Sequence, residues 1–262
     1  MVLVATPIPC LRDNYAYVIE GGGRGQALVV DPSESQPVLQ VLRARKLCLS
    51  AILVTHHHFD HVGGVQELLA SFPEAPVFAM EPDASKVKGV TRRVQPYECL
   101  EVSGVIFQVL PIPGHTMGAV AFLLPQTSAP GLLFTGDTLF TAGCGRLFEG
   151  TPADMNRSLN EILGALPDDT QVYCGHEYTE ANLRFAVHVE PGNEAIRKRI
   201  LWTAKARSRG EPTVPSTLGE ERATNPFLRV GEATVRTFVG LGPGASRDEV
   251  FAKVRAAKDT FL

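Results

Sequence analysis

The sequence predicts an α+β protein: a strand-rich N-terminal domain over residues 1–177, followed by a smaller, mostly α-helical domain over 178–262. Three observations carry this reading. The first two thirds alternate short apolar runs with Gly, Pro and Asp turns, as short buried strands do. After about residue 177 long helical stretches take over and charges multiply. Apolar runs also end repeatedly in a small residue followed by His or Asp, at 54–61, 112–115, 134–137 and 173–176. Strand ends that all deliver polar side chains are how a rigid scaffold builds a site.

Taken in order, residues 15–19 and 26–30 read as a hairpin around Gly21-Gly22-Gly23, with Asp31-Pro32 closing its second strand. Residues 36–46 carry Val38, Leu39, Val41 and Leu42 at helical spacing and feed a buried strand at 51–54. A helix at 65–71 follows, its start able to pack closely through Gly63-Gly64, and then a strand at 77–79. Strands at 105–110 and 119–124 flank Gly114-His115-Thr116, and a strand at 131–135 leads into Gly136-Asp137. Residues 153–166 read as a helix with Thr151 as its cap and Pro152 in the first turn. The strand at 171–174 delivers Gly175-His176. Residues 178–209 are largely helical, 211–216 form a Pro-, Thr- and Ser-rich connection, and 247–262 form an amphipathic helix.

Apolar content of 44% and charged content of 20% over 262 residues mark a globular chain with a sizeable core. A formal charge of −3 gives no reason to expect nucleic acid or an anionic membrane as a partner. No apolar run approaches the ~20 residues of a membrane-spanning helix. The start lacks a basic leader and is interrupted by Pro7 and Pro9, so no secretory signal is expected. Cys10, Cys48, Cys99, Cys144 and Cys174 are widely spaced without a C-x-x-C, which points to packed thiols in a reducing cytoplasm instead of a disulfide framework. A monomer is the default expectation.

The run Thr55-His56-His57-His58-Phe59-Asp60-His61 holds four of the chain's seven histidines and a carboxylate. A core cannot easily give each of those rings a partner, but a metal site uses them directly. The candidate ligands are His56, His58, Asp60, His61, His115, Asp137 and His176. A single catalytic zinc takes about three protein ligands and a water, so this set fits two divalent ions sharing a carboxylate, ~3.5–4 Å apart. His56 and His58 alternate by two and can face one side of an extended loop, while His57 points away and is not expected to be a ligand. Isolated His188 reads as a packed or solvated ring. The donors suit zinc first, with iron or manganese also accepted.

The run at 55–61 resembles the T-H-x-H-x-D-H signature of the metallo-β-lactamase superfamily, with Asp31, Gly114-His115-Thr116, Gly136-Asp137 and Gly175-His176 in the expected order. That resemblance implies an αββα sandwich with the metals at one edge of its sheets. Gly143-Cys144-Gly145-Arg146, Tyr173 to Thr179, His188 to Asn193, Gly210 to Thr217 and Asn225-Pro226-Phe227-Leu228-Arg229 are similar to the glyoxalase II family. The family's activity is hydroxyacylglutathione hydrolysis, the second step of methylglyoxal detoxification. The implied reaction takes S-D-lactoylglutathione and water to D-lactate and glutathione. The resemblance further implies one metal on His56, His58 and His115, a second on Asp60, His61 and His176, and Asp137 as the bridge. It implies glutathione contacts from Arg146, Phe148, Tyr178, Arg255 and Lys258. Phe148 stands where the family often has tyrosine, and the missing hydroxyl is expected to weaken binding by about 0.5–1.5 kcal/mol. From spacing alone, Arg255 and Lys258 read as a solvated helix face.

The chemistry expected of such a site is hydroxide attack. A water shared by two cations loses a proton near neutral pH and needs no serine or cysteine nucleophile. A thiolate leaving group, with a pKa of about 8.5, needs little protonation. Asp60 and Asp137 are the candidates for any proton handling. The sequence leaves three rivals open: a single-iron persulfide dioxygenase, a hydrolase for a lactone or β-lactam, and a binding protein without catalysis.

Overall fold

The structure, a computed structural model, describes residues 3–261 apart from residues 22 and 128. Met1-Val2, the centre of the Gly21-Gly22-Gly23 turn and Leu262 at the end of the last expected helix lie outside the described residues.

Two six-stranded sheets face one another. The first follows chain order: β1 (Ala5–Cys10), β2 (Asn14–Glu20), β3 (Gln26–Val30), β4 (Cys48–Leu53), β5 (Val77–Met80) and β6 (Arg92–Val94). β1 to β3 are antiparallel, and β3 to β6 run parallel. Parallel neighbours need crossovers, which α1 (Ser35–Ala44) supplies before β4, and α2 (Phe59–Val62) with α3 (Val65–Ser71) before β5. The second sheet holds β7 (Cys99–Val102), β8 (Val105–Pro111), β9 (Val120–Leu124), β10 (Leu132–Gly136), β13 (Gln171–Cys174) and β14 (Ser216–Thr217), in the order β14-β13-β10-β9-β8-β7. A small hairpin, β11 (Leu139–Phe140) and β12 (Gly143–Cys144), sits between β10 and α4 (Pro152–Arg157). The remaining helices are α5 (Thr179–Val189), α6 (Glu194–Ser208), α7 (Leu218–Thr224), α8 (Ala233–Phe238) and α9 (Arg247–Thr260).

Strand alternation explains the layering. On β2, Tyr17 and Ile19 face the gap between the sheets, where they meet Phe107, Phe122, Phe134 and Tyr173 of the second sheet. Ala16 and Val18 face outward, against Val38, Leu39 and Leu42 of α1 and Val65 and Leu68 of α3. The outer face of the second sheet, with Ala121, Leu123 and Leu133, packs on Met155, Phe185, Phe227, Val250, Phe251 and Val254. Helices therefore cover both outer faces, and the αββα sandwich is as expected.

Several elements differ from the sequence reading. β1 forms despite Pro7 and Pro9, because it is an edge strand paired only with β2, where missing N–H groups cost no ladder bond on the open side. Short strands β6, β7, β11 and β12 went unread for want of length. The 211–216 connection ends in β14, which pairs with β13 and ties the helical region to the second sheet. The helix expected over 153–166 is α-helical only to Arg157, widens to a π turn at Ser158–Ile162 and finishes as a 3₁₀ turn. Its start is as read: Thr151 and Asp154 form a reciprocal capping box. Asn193 splits the 178–209 helix, accepting from Ala195 N and Ile196 N at the start of α6. All five cysteines are free thiols; Cys10, Cys144 and Cys174 are buried, but Cys48 and Cys99 are exposed instead of packed. No described helix is long and apolar enough to cross a membrane.

Candidate metal centre

Four strand ends meet at one edge of the sandwich. β4 runs into the extended segment 54–58 and then α2, which together carry His56, His58, Asp60 and His61. The β8–β9 connection carries His115, β10 ends at Asp137, and β13 ends at His176. All seven expected ligands converge there. His56, His58 and His115 form one donor set, and Asp60, His61 and His176 form another, each with ligand atoms within 4.8 Å of one another. The Asp137 carboxylate lies between them: Oδ1 is 3.2 Å from His61 Nε2, and Oδ2 is 3.3 Å from His176 Nε2 and 3.5 Å from His115 Nε2.

Outer partners orient the rings. His61 Nδ1 lies 3.0 Å from Asp31 Oδ2, His176 Nδ1 2.8 Å from Asp13 Oδ1, and His115 Nδ1 2.8 Å from the Arg146 carbonyl. His56 Nδ1 is 3.1 Å from Thr55 Oγ1, whose hydroxyl donates to Asp31. Each of these Nδ1 atoms must carry the proton, so each Nε2 lone pair faces the centre. Asp31 also falls near His56 and His61 in a possible third set. Its oxygens are already taken by Thr55 N, Thr55 Oγ1 and His61, so it orients and does not ligate. His57 turns away as expected, its Nδ1 2.8 Å from Asp83 Oδ2.

The residues present fit two cations. His56 Nε2, His61 Nε2 and Asp137 Oδ1 are buried and have no hydrogen-bond partner among the described residues. His115 Nε2 and His58 Nδ1 lie 2.9 Å apart, two imidazole nitrogens turned toward the same point. Orphaned donors at this density are costly unless an ion sits among them. Burial pushes His56, His58 and His115 down, leaving neutral imidazoles as ligation requires. Burial also opposes charge on His61 and His176, but Asp137 and Asp31 raise the first, and Asp137 and Asp60 raise the second to about 10. His176 holds Asp60 well below the usual carboxylate range, and His61 and His176 do the same for Asp137 against its burial. Gly175 is required by closeness: a Cβ there would collide with Asp137 Oδ1 and His61 Cε1. Two adjacent donor sets around one carboxylate have the form of a dinuclear metal site.

The centre opens into a cavity of about 740 Å³. Phe148 leans edge-on against His58 and His115, with ring centroids 5.4 and 5.3 Å away, and Tyr178 stacks on His176 at 4.6 Å. Arg146, Arg255 and Lys258 also line this cavity, with Asp259 among them. Arg146 is exposed, but Arg255 is only 5% exposed. Its Nη1 donates to Cys144 O, its Nη2 to Asp259, and its guanidinium lies over the Phe227 ring. The solvated-face reading fails for Arg255, which is built into the cavity wall. Sequence reasoning missed Asp13, Asn14, Asp83 and Glu177. Asn14 Nδ2 donates to Asp60 O and Asp60 Oδ2, and the Glu177 carboxylate accepts from Tyr15 OH, Thr213 N and Thr213 Oγ1. An Asp-Asn pair at a turn carries no signal of its own.

Residues 11–176 match the family model of the metallo-beta-lactamase superfamily, the class that this sandwich and this edge site define. Residues 177–261 match the hydroxyacylglutathione hydrolase C-terminus. Hydroxyacylglutathione hydrolases align end to end: one from a Synechococcus strain is 48% identical over 97% of this chain and 98% of its own. One from Alkalilimnicola ehrlichii is 50% identical over 96% and 97%, and one from Rhodobacter capsulatus 47% over the full length of both. The chain belongs to the hydroxyacylglutathione hydrolase family. Among solved structures it is similar to ETHE1 from Myxococcus xanthus (26% identity, TM-score 0.67, 98% of this chain and 90% of that one). It is also similar to TTHA1623 in a di-iron-bound form (29% identity, TM-score 0.59, 86% and 100%).

Proposed function

We propose that this chain hydrolyses S-D-lactoylglutathione to D-lactate and glutathione, with residues 1–177 holding the metals and residues 178–262 gripping the glutathione tail. The observation that carries the reading is that one cavity is lined both by the convergent imidazoles and by the cations Arg146, Arg255 and Lys258. A thioester that must meet metals at one end and carries carboxylates at the other matches that lining. His56, His58 and His115 would hold one ion, Asp60, His61 and His176 the other, and Asp137 both. Zinc suits the donors, with iron or manganese as alternatives, and TTHA1623, similar in fold, has a di-iron-bound form. Bound cations supply the charge that acidifies a shared water and polarises the thioester carbonyl. Asp60 and Asp137, both ionised, accept and return the proton at their carboxylate oxygens. Tyr178 and Phe148 flank the thioester, excluding water from the two sides of the centre. A monomer in the reducing cytoplasm completes the reading.

Steady-state hydrolysis of S-D-lactoylglutathione, followed by thioester absorbance with oxygen uptake recorded, tests it. Hydrolysis without oxygen consumption is expected. Oxygen uptake with a glutathione persulfide and no thioester hydrolysis would favour the dioxygenase reading.

Two smaller effects follow from the cavity wall. Lys258 is half-buried; its ammonium lies over the Phe185 and Phe261 rings and makes a long 3.4 Å contact to Ala181 O, and among the described residues no carboxylate forms an ion pair with it. Lys258→Ala is expected to raise KM by ~10-fold or more with kcat little changed, the loss of one charge-assisted bond made equally in ground and transition states. Phe148 is 62% exposed and has room for a hydroxyl. Phe148→Tyr is expected to lower KM by ~2–10-fold, as one neutral hydrogen bond provides. An unchanged KM in titrations of either variant would remove that residue from the glutathione contacts.

A further inference from the structure

We infer that the two metal sites are unequal and fill in order, the Asp60/His61/His176 site first and the His56/His58/His115 site second. The inference rests on the dinuclear reading above and goes beyond it. Apart from the shared Asp137, the first site contributes a carboxylate, Asp60, and the second only imidazoles. The outer partners widen the difference. Both histidines of the first site are backed by a carboxylate, His61 by Asp31 at 3.0 Å and His176 by Asp13 at 2.8 Å. Asp60 is itself held by Asn14, whose Nδ2 lies 3.1 Å from Oδ2. At the second site, His115 is backed by a neutral carbonyl, Arg146 O, and Asp31 reaches His56 only through the Thr55 hydroxyl. Asp83 is the other buried carboxylate nearby, but it serves His57 and Thr116 Oγ1 and touches no ligand ring.

A carboxylate behind a ligating imidazole makes the ring more basic and fixes its tautomer, and removing such a partner costs ~10–100-fold in metal affinity. Two of them, added to a ligating carboxylate, separate the sites by ~100-fold or more. Site one is thus anionic and pre-oriented, while site two relies on neutral rings and gains from Asp137 only after sharing it.

Crystals of chelator-stripped protein grown with just under one equivalent of zinc, and others with excess zinc, decide the matter by anomalous scattering at the zinc edge. The expected result is a peak among Asp60, His61 and His176 at the low stoichiometry and a second among His56, His58 and His115 in excess. Low-zinc density among the three histidines, or split evenly, overturns the order while leaving two metals in place. A single peak even in excess overturns the dinuclear reading, and its position still decides which site is the stronger. In solution, Asp13→Asn should weaken the first zinc equivalent by ~10–100-fold in competition with a chelator and spare the second. Weakening of the second equivalent alone would also overturn the order.

Discussion

Dialysis against a strong chelator is expected to abolish hydrolysis of S-D-lactoylglutathione, with zinc restoring it. Asp137→Ala is expected to lose ~10³-fold or more in kcat even in excess zinc. The reasoning starts from position. The Asp137 carboxylate lies within 3.5 Å of Nε2 atoms from both donor sets. Without it, two cations face one another with no shared anion, and their mutual repulsion expels one or moves both. A cation acting on a carbonyl is worth several kcal/mol of transition-state stabilisation, and each ~1.4 kcal/mol is tenfold in rate. Metal content measured beside kcat separates the causes: zinc falling toward one equivalent marks a lost site, while full occupancy with low kcat marks misplaced ions. Near-normal kcat in Asp137→Ala would remove Asp137 from the bridging position altogether.

The side chains that converge as candidate ligands were legible because sequence clusters them and strand ends announce them. His56 to His61 are contiguous, and His115, Asp137 and His176 each follow a short apolar run. The partners behind them were not, because they come from distant positions by folding alone. Asp13 reaches His176 across 163 residues, and Asn14 reaches Asp60 across 46. A lone acid in a turn looks the same whether it faces water or a histidine. Most strands were legible as short apolar runs between turns and the sandwich through the resemblance of residues 55–61 to the superfamily signature, but β1 was hidden by its prolines and β14 by its length of two residues. Arg255 shows the limit of spacing arguments: its place on an amphipathic helix said surface, and the aromatic cluster of Phe185, Phe227 and Phe251 drew it inside.

The Asn225-Pro226-Phe227 motif leads to the second large effect, Glu221→Gln, which is expected to stabilise the protein by about 3 kcal/mol at pH 7.5 and by little at pH 5. Glu221 sits on α7, fully buried, and its Oε2 accepts from Ala142 N and Asn225 Nδ2. Asn225 in turn donates to Phe140 O and Gly143 O, so the pair grips the β11–β12 hairpin between Asp137 and Arg146. Burial, the largest influence, pushes its pKa up from 4.5 to about 7, and the Arg199 charge and the hydrogen bonds offset that only in part. The sign follows from linkage. Below the unfolded value both states are protonated and the residue costs nothing. As pH rises toward 7 the unfolded chain ionises while the folded one keeps its proton, and stability falls by ~1.4 kcal/mol per unit. Above 7 both are ionised and the whole penalty stands. Glutamine keeps an acceptor for Ala142 and Asn225 while removing the charge. Because Asp60 and Asp137 titrate in the opposite sense, only the difference between variant and wild type isolates the effect. Denaturant unfolding of both proteins from pH 5 to 8 should show that difference growing through pH 6–7. A difference flat with pH would mean that Glu221 is ionised throughout and that its amide and asparagine donors suffice to hold the charge.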